Sequence, residues 1–207
     1  MNSAIPLRAR LTQKYDTPSF WAGPHFVKLC PSPRLGADRA GEEQKMYERI
    51  QKIMIGHGAL VLLVAMFSGI GLLIARLGGL ELFPGIFFPF SIPGEADAWA
   101  RTHVGGMLNA FLIFLVALML PVVGFSRKAA GRVGWIIIGT GWANTLFYWA
   151  ALFSANRALS FGVNRYGEGG LMSALGLAPA LLFVFLSLIA VGAIAVGAFS
   201  TSKKGPT

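Results

Sequence analysis

The chain has 207 residues, 55% of them hydrophobic and only 13% charged, with a mean hydropathy of +0.61. A soluble domain of this size needs more polar residues to cover its surface, so these figures exclude an ordinary soluble protein and point to an integral membrane one. The net charge of +9 is then expected to face anionic lipid, with no nucleic-acid partner, and the single cysteine, Cys30, excludes an intrachain disulfide or a cysteine-based metal cluster.

Residues 1–41 are polar and hold prolines at positions 6, 18, 24, 31 and 33. They carry no apolar periodicity and no core of the kind a cleavable signal peptide needs, and read as a flexible cytoplasmic extension. The stretch AGEEQKMYERIQK, Ala40 to Lys52, reads as a short amphipathic helix leading into the membrane. Four apolar runs follow, at about 53–77, 103–125, 133–153 and 173–199. Each reaches the roughly 20 residues that a helix needs to cross a bilayer core of about 30 Å. They are continuously apolar and do not alternate, which favours helices over a barrel. The expected architecture is all-α: a four-transmembrane-helix bundle over residues 42–200, with a cytoplasmic tail at 201–207. The first interhelical loop, GGLELFPGIFFPFSIPGEADAWART, is rich in aromatics, Pro and Gly and is expected to lie along the membrane interface.

Charge sets the expected orientation. The N-terminal tail holds nine Lys and Arg, the second loop Arg127, Lys128 and Arg132, and the C-terminal tail Lys203 and Lys204. The first and third loops hold two each: Arg76 and Arg101, then Arg157 and Arg165. The positive-inside rule puts both termini in the cytoplasm. Glu81, Glu95, Asp97 and Glu168 then fall in the outer loops.

Polar groups inside spans are costly and therefore functional candidates, with helix packing as the common alternative. The first span has His57, the second His103 and Asn109, and the third Thr140, Trp142, Asn144, Thr145 and Tyr148. With the second span entering from the outer side, His103 is expected at the rim and Asn109 roughly 9 Å deeper. Tyr148 is expected roughly 8 Å below the outer end of the third span, level with Asn109, and Asn144 one turn deeper on the same face. His57 is expected on the order of 20–30 Å from His103 along the membrane normal, too far to share one haem iron. From these residues alone His103 reads either as a ligand or as an interfacial, hydrogen-bonded histidine. Tyr148 reads as a functional group or a belt aromatic, Asn109 and Asn144 as functional groups or interhelical glue, and His57 as a packing or hydrogen-bonding residue between Gly56 and Gly58. Too few histidines and carboxylates converge, and the spans offer no thiol, which argues against a protein-only zinc site. The small-xxx-small pairs Gly106/Ala110 and Ala193/Gly197 hint at oligomerisation.

Four motifs, GHG (56–58), WARTHVGGMLN (99–109), GWANTLFY (141–148) and NRALSFGVN (156–164), occur in order across about residues 42–199. Together they resemble the styrene oxide isomerase family; residues 1–41 fall outside the resemblance. It implies a homotrimer in the bacterial inner membrane that binds haem b and converts styrene oxide and related small, apolar aryl epoxides to arylacetaldehydes. It implies His103 as the axial haem ligand and Asn109 and Tyr148 as the catalytic polar pair. Ferric iron would act as Lewis acid on the epoxide oxygen, followed by a 1,2-hydride shift. Alternatives are a haem-binding electron-transfer subunit interacting with quinone, whose two axial histidines would lie at one depth, and a cofactor-free transporter or scaffold.

Overall fold

A computed structural model describes residues 33–202; residues 1–32, Cys30 among them, and 203–207 lie outside the described residues. The elements are α1 (Pro33–Leu77), β1 (Gly79–Phe83), β2 (Ile86–Pro89), α2 (Ala96–Val123), α3 (Arg127–Leu152) and α4 (Leu171–Ser202). The chain is mostly helical, and α1, α2 and α4 are long and apolar enough to cross a membrane. α3 is long enough at 26 residues, but Thr140, Trp142, Asn144, Thr145 and Tyr148 dilute its apolar character. It packs against α1, α2 and α4. A helix enclosed on several sides meets less lipid and can carry polar groups that a lipid-facing helix cannot.

α1 is one continuous helix. It absorbs the amphipathic stretch and takes in residues 33–41, which the sequence assigns to the flexible extension. Extending a helix that is already nucleated fixes one residue per added hydrogen bond, so a polar flank can follow an apolar span. The all-α expectation needs one amendment: the first interhelical loop contains an antiparallel hairpin. Its turn runs through Pro84 and Gly85, the latter at φ 81°, where glycine is favoured. Glu81 Oε1 accepts the Gly85 N–H at 2.9 Å. The hairpin exposes Leu82, Phe83, Ile86, Phe87 and Phe88.

α2 ends at Gly124 in the left-handed region (φ 69°), a glycine stop that turns the chain back within three residues. α3 therefore runs antiparallel beside α2. The Tyr47 hydroxyl donates to the Phe125 carbonyl and ties α1 to this turn. The core fills the same half of the molecule, with Met54, Val61, Ile113, Leu120 and Ile137 almost fully buried. Leu63, Met66 and Phe67 on α1, Leu118 and Val122 on α2, and Phe185, Leu188 and Ile189 on α4 are exposed. In water such a surface would be a liability; in hydrocarbon it is the proper exterior. The small-residue pairs pack inside the chain. A Cβ on Gly106 would lie 2.8 Å from Ala65 Cβ, Ala110 is fully buried, and a Cβ on Gly197 would lie 2.6 Å from Val123. Gly106/Ala110 and Gly197 therefore serve contacts within one chain.

Candidate functional site

α2 carries the predicted site residues on two different faces. Its α1-facing side brings His103 against Ala65 and Gly69. His103 Nδ1 lies 2.8 Å from the Ala65 carbonyl oxygen, and a Cβ on Gly69 would lie 2.8 Å from the imidazole Cε1. A carbonyl only accepts, so Nδ1 carries a hydrogen, and in the neutral imidazole Nε2 then holds the lone pair. That is the tautomer a metal-ligating imidazole needs.

The α3-facing side carries Thr102, Gly105 and Asn109. Thr102 Oγ1 donates to the Tyr148 carbonyl at 3.3 Å. Gly105 lets the Tyr148 ring approach: a Cβ there would sit 2.4 Å from Cε2 and 2.6 Å from Cζ. Asn109, 7% exposed, accepts a hydrogen bond from Asn144 Nδ2 at 3.3 Å. Its own Nδ2 is buried and unpartnered. Gly105 and Asn109 are four residues apart on α2, as are Asn144 and Tyr148 on α3, so the two pairs form one patch across the interface.

Two depth expectations change. Asn109 lies opposite Asn144, and Tyr148 lies opposite Gly105, about one turn from the level at which the sequence paired it with Asn109. Side chains lean toward the N-terminus of their own helix. Tyr148 and Asn109 sit on antiparallel helices and lean toward each other, and the one turn is what remains after that lean: the Tyr148 carbonyl is level with Thr102 and its ring reaches Gly105. His103 stands about two turns into α2, which begins at Ala96 and not at the start of the apolar run. Its contacts at Ala65 and Gly69 are eight and twelve residues beyond His57, roughly 12–18 Å along α1 and less than the 20–30 Å expected. The conclusion drawn from the longer distance still holds, because one iron cannot bridge the shorter one. His57 is a packing residue, as expected. It accepts the Trp142 indole N–H at 3.1 Å and meets Trp135 edge-on, with ring centroids 5.9 Å apart.

Tyr148 also lines a hollow of about 200 Å³ with Phe147, Ala151, Leu159 and Tyr166, walled by Arg101 and Arg157. It is below the roughly 300–1,000 Å³ of drug-sized sites and suits a small ligand. The α3–α4 loop that supplies this wall hangs on Asn156, which is fully buried. Asn156 Oδ1 accepts from Ser154, Ser173 and the Ala158 N–H, and Nδ2 donates to the Ser160 and Gly162 carbonyls at 2.7 and 2.9 Å. These bonds hold Arg157 and Ala158 at φ 58° and 54°, left-handed values that non-glycine residues seldom adopt. Arg157 then reaches Glu95 at 3.1 Å and lies 4.3 Å from the Tyr166 ring centroid. Sequence reasoning missed this hub, although NRALSFGVN contains it; the asparagine-and-serine spacing was the available signal. Among the described residues no three His, Cys, Asp or Glu side chains converge. A metal held at His103 must therefore bring most of its own ligands, as a porphyrin does.

These features define a helical membrane protein whose polar side chains gather on one interhelical face, with a single ligand-type histidine on the adjoining face. The family model described as styrene oxide isomerase matches residues 50–199. A styrene-oxide isomerase of Pseudomonas fluorescens is 41% identical over 159 residues, covering 77% of this chain and 92% of that protein. The chain belongs to the styrene oxide isomerase family and is an isomerase.

Proposed function

We propose that this chain converts styrene oxide and related aryl epoxides to arylacetaldehydes within the bilayer. Asn109 and Tyr148 meet the epoxide oxygen, and His103 holds haem b. The observation that carries this reading is the buried, unpartnered Asn109 Nδ2, about one helical turn from the Tyr148 ring, in a chain 41% identical to a styrene-oxide isomerase. A donor left without a partner in an apolar interior costs about 1–3 kcal/mol, and an incoming oxygen relieves that cost.

His103 would hold the haem iron through Nε2, since Nδ1 is committed to the Ala65 carbonyl. Ferric haem, when bound, supplies Lewis acidity toward an epoxide oxygen. The chain's own groups account for the remaining steps. The Tyr148 hydroxyl and Asn109 Nδ2 donate hydrogen bonds to the oxygen as negative charge grows on it. The benzylic C–O bond breaks, and the aryl ring spreads the positive charge. A hydride moves from the terminal carbon to the benzylic carbon, and the remaining C–O bond becomes the aldehyde carbonyl. Every atom of the substrate is retained, so no co-reactant is consumed. The apolar helix surfaces exclude water, which would trap the cation as a diol.

Within one chain His103 faces α1, whereas Asn109 and Tyr148 face α3. We propose that a homotrimer of four-helix bundles in the bacterial inner membrane, with α3 as a span and both termini cytoplasmic, completes the site between copies. Among the described residues the quinone-linked electron-transfer reading finds no second histidine near His103, because His57 is engaged by Trp142 well away from it. The test is an optical spectrum of the purified protein before and after styrene oxide, with phenylacetaldehyde assayed in the same sample. Aldehyde formed without reductant is expected; haem-loaded protein that makes none refutes the reading.

A further inference from the structure

A cavity of about 940 Å³ opens between α1 and α3 at the end of the helices opposite Tyr148. Its floor is apolar, from Ile53, Trp135 and Ile136. Its rim carries four exposed cations: Arg49 from α1, and Arg127, Lys128 and Arg132 from the first turns of α3. Among the described residues no carboxylate lines it, Glu48 beside Arg49 included, and none of the four cations forms an ion pair. α3 has no acid in its first turn and no side-chain cap. Arg127 and Lys128 thus add positive charge at the end of the helix dipole that is already positive. The arrangement concentrates positive potential from several sources, with no described carboxylate among them to balance it.

The cations also lie at a defined level. The membrane-length part of α1 begins at Tyr47, α3 begins at Arg127, and the Tyr47–Phe125 hydrogen bond holds the two starts together. The apolar surface begins where the cations end, which is the level of phospholipid headgroups. A second hollow of about 450 Å³, lined by Lys52, Gly56, His57 and Leu60, shares Ile53 with the first and extends it along α1. Together they form a charged mouth followed by an apolar track. A free anion would occupy little of a volume about thirty times that of one water, and would leave the apolar floor uncovered.

We propose that this groove binds one phospholipid with an anionic headgroup, its phosphate among Arg49, Arg127, Lys128 and Arg132 and an acyl chain along Ile53, Trp135 and Ile136. The site rests on the chain lying in a bilayer and not on its isomerase activity, so the two can fail separately. An enzyme that isomerises styrene oxide but shows no headgroup preference sinks the lipid site alone.

The full chain in non-ionic detergent is titrated by native mass spectrometry with phosphatidylglycerol, with phosphatidylcholine of the same acyl chains, and with inorganic phosphate as competitor. The wild type is expected to prefer phosphatidylglycerol by more than about a hundred-fold, from four cations at roughly five-fold each, with the preference falling as salt rises. Each cation near an anionic headgroup contributes roughly five-fold, so R127Q/K128Q/R132Q is expected to lose on the order of a hundred-fold and R132Q about five-fold. Equal binding of the two lipids overturns the proposal, as does an unchanged preference in the triple variant. Full competition by inorganic phosphate also overturns it, in favour of a free-anion site. If the triple variant does not fold, an unchanged preference in R132Q overturns it in the same way.

Discussion

Replacing Asn109 with Leu separates stability from activity in a way that few buried substitutions do. In the resting chain Asn109 Nδ2 is buried without a partner, and Oδ1 accepts only a long bond of 3.3 Å from Asn144. Leu fills a similar volume and removes an orphan donor that costs about 1–3 kcal/mol. It also strands the Asn144 amide and loses a hydrogen bond worth about 0.5–1.5 kcal/mol. The terms nearly cancel, so N109L is expected within about 1 kcal/mol of wild type. N109L/N144L removes both polar groups and is expected to be more stable than wild type by about 1–2 kcal/mol. Activity moves the other way, because losing a donor aimed at developing charge slows turnover by about 10²–10³-fold. Thermal unfolding in detergent and the initial rate of phenylacetaldehyde formation measure the two quantities on one sample. Destabilisation of N109L beyond about 2 kcal/mol would mean that the amide is already satisfied before substrate arrives. An unchanged rate would mean that the donor does not reach the substrate.

Gly105→Ala places a Cβ 2.4 Å from Tyr148 Cε2, so the ring has to move. Turnover is expected to fall about 10²-fold with haem content unchanged, and Tyr148→Phe to fall comparably; a G105A rate within three-fold of wild type would remove Tyr148 from the chemistry. Gly69→Ala crowds His103 Cε1 at 2.8 Å and is expected to shift or weaken the Soret band, with His103→Ala abolishing it; full haem retention in H103A refutes the ligand assignment. Asn156→Ala strips the α3–α4 loop of its hub and is expected to destabilise the chain by more than about 3 kcal/mol, read as faster limited proteolysis within residues 154–170.

The long helices were legible because each apolar run outlasts any turn signal, and the runs at 53–77, 103–125, 133–153 and 173–199 each fall within one helix apart from a residue or two at their ends. The start of α2 was not legible from hydropathy. Asp97 and Arg101 lower it there, yet Glu95 and Asp97 stand where a helix dipole favours acids, and the helix begins at Ala96, before the apolar run. That earlier start puts His103 about two turns into the helix, where the apolar run has it as the first residue. The Pro84-Gly85 turn flanked by Leu, Phe and Ile was a hairpin signal, masked by reading the loop for membrane affinity and not for strand pairing. The register between α2 and α3 is set by where Tyr148 finds a glycine, a tertiary choice that residue counting from span ends cannot make.

The adjacent pair Gly105-Gly106 shows how one helix serves two sites. Successive residues on a helix point about 100° apart, so neighbouring glycines open two different faces. Gly106 lets α1 close in through Ala65, whose carbonyl also holds His103. Gly105 lets α3 close in through Tyr148, which shares its face with Asn144 and, across the interface, Asn109. A third face, with Val104, Leu108, Phe111 and Leu115, stays exposed and apolar. The imidazole and the carboxamide–phenol patch are thus held by separate neighbours and can be perturbed separately. Gly69→Ala acts on the first and Gly105→Ala on the second, with the backbone of α2 as the only part common to both. If the two variants changed haem content and turnover identically, the faces would not be independent, and the assignment of cofactor to one and substrate to the other would fail.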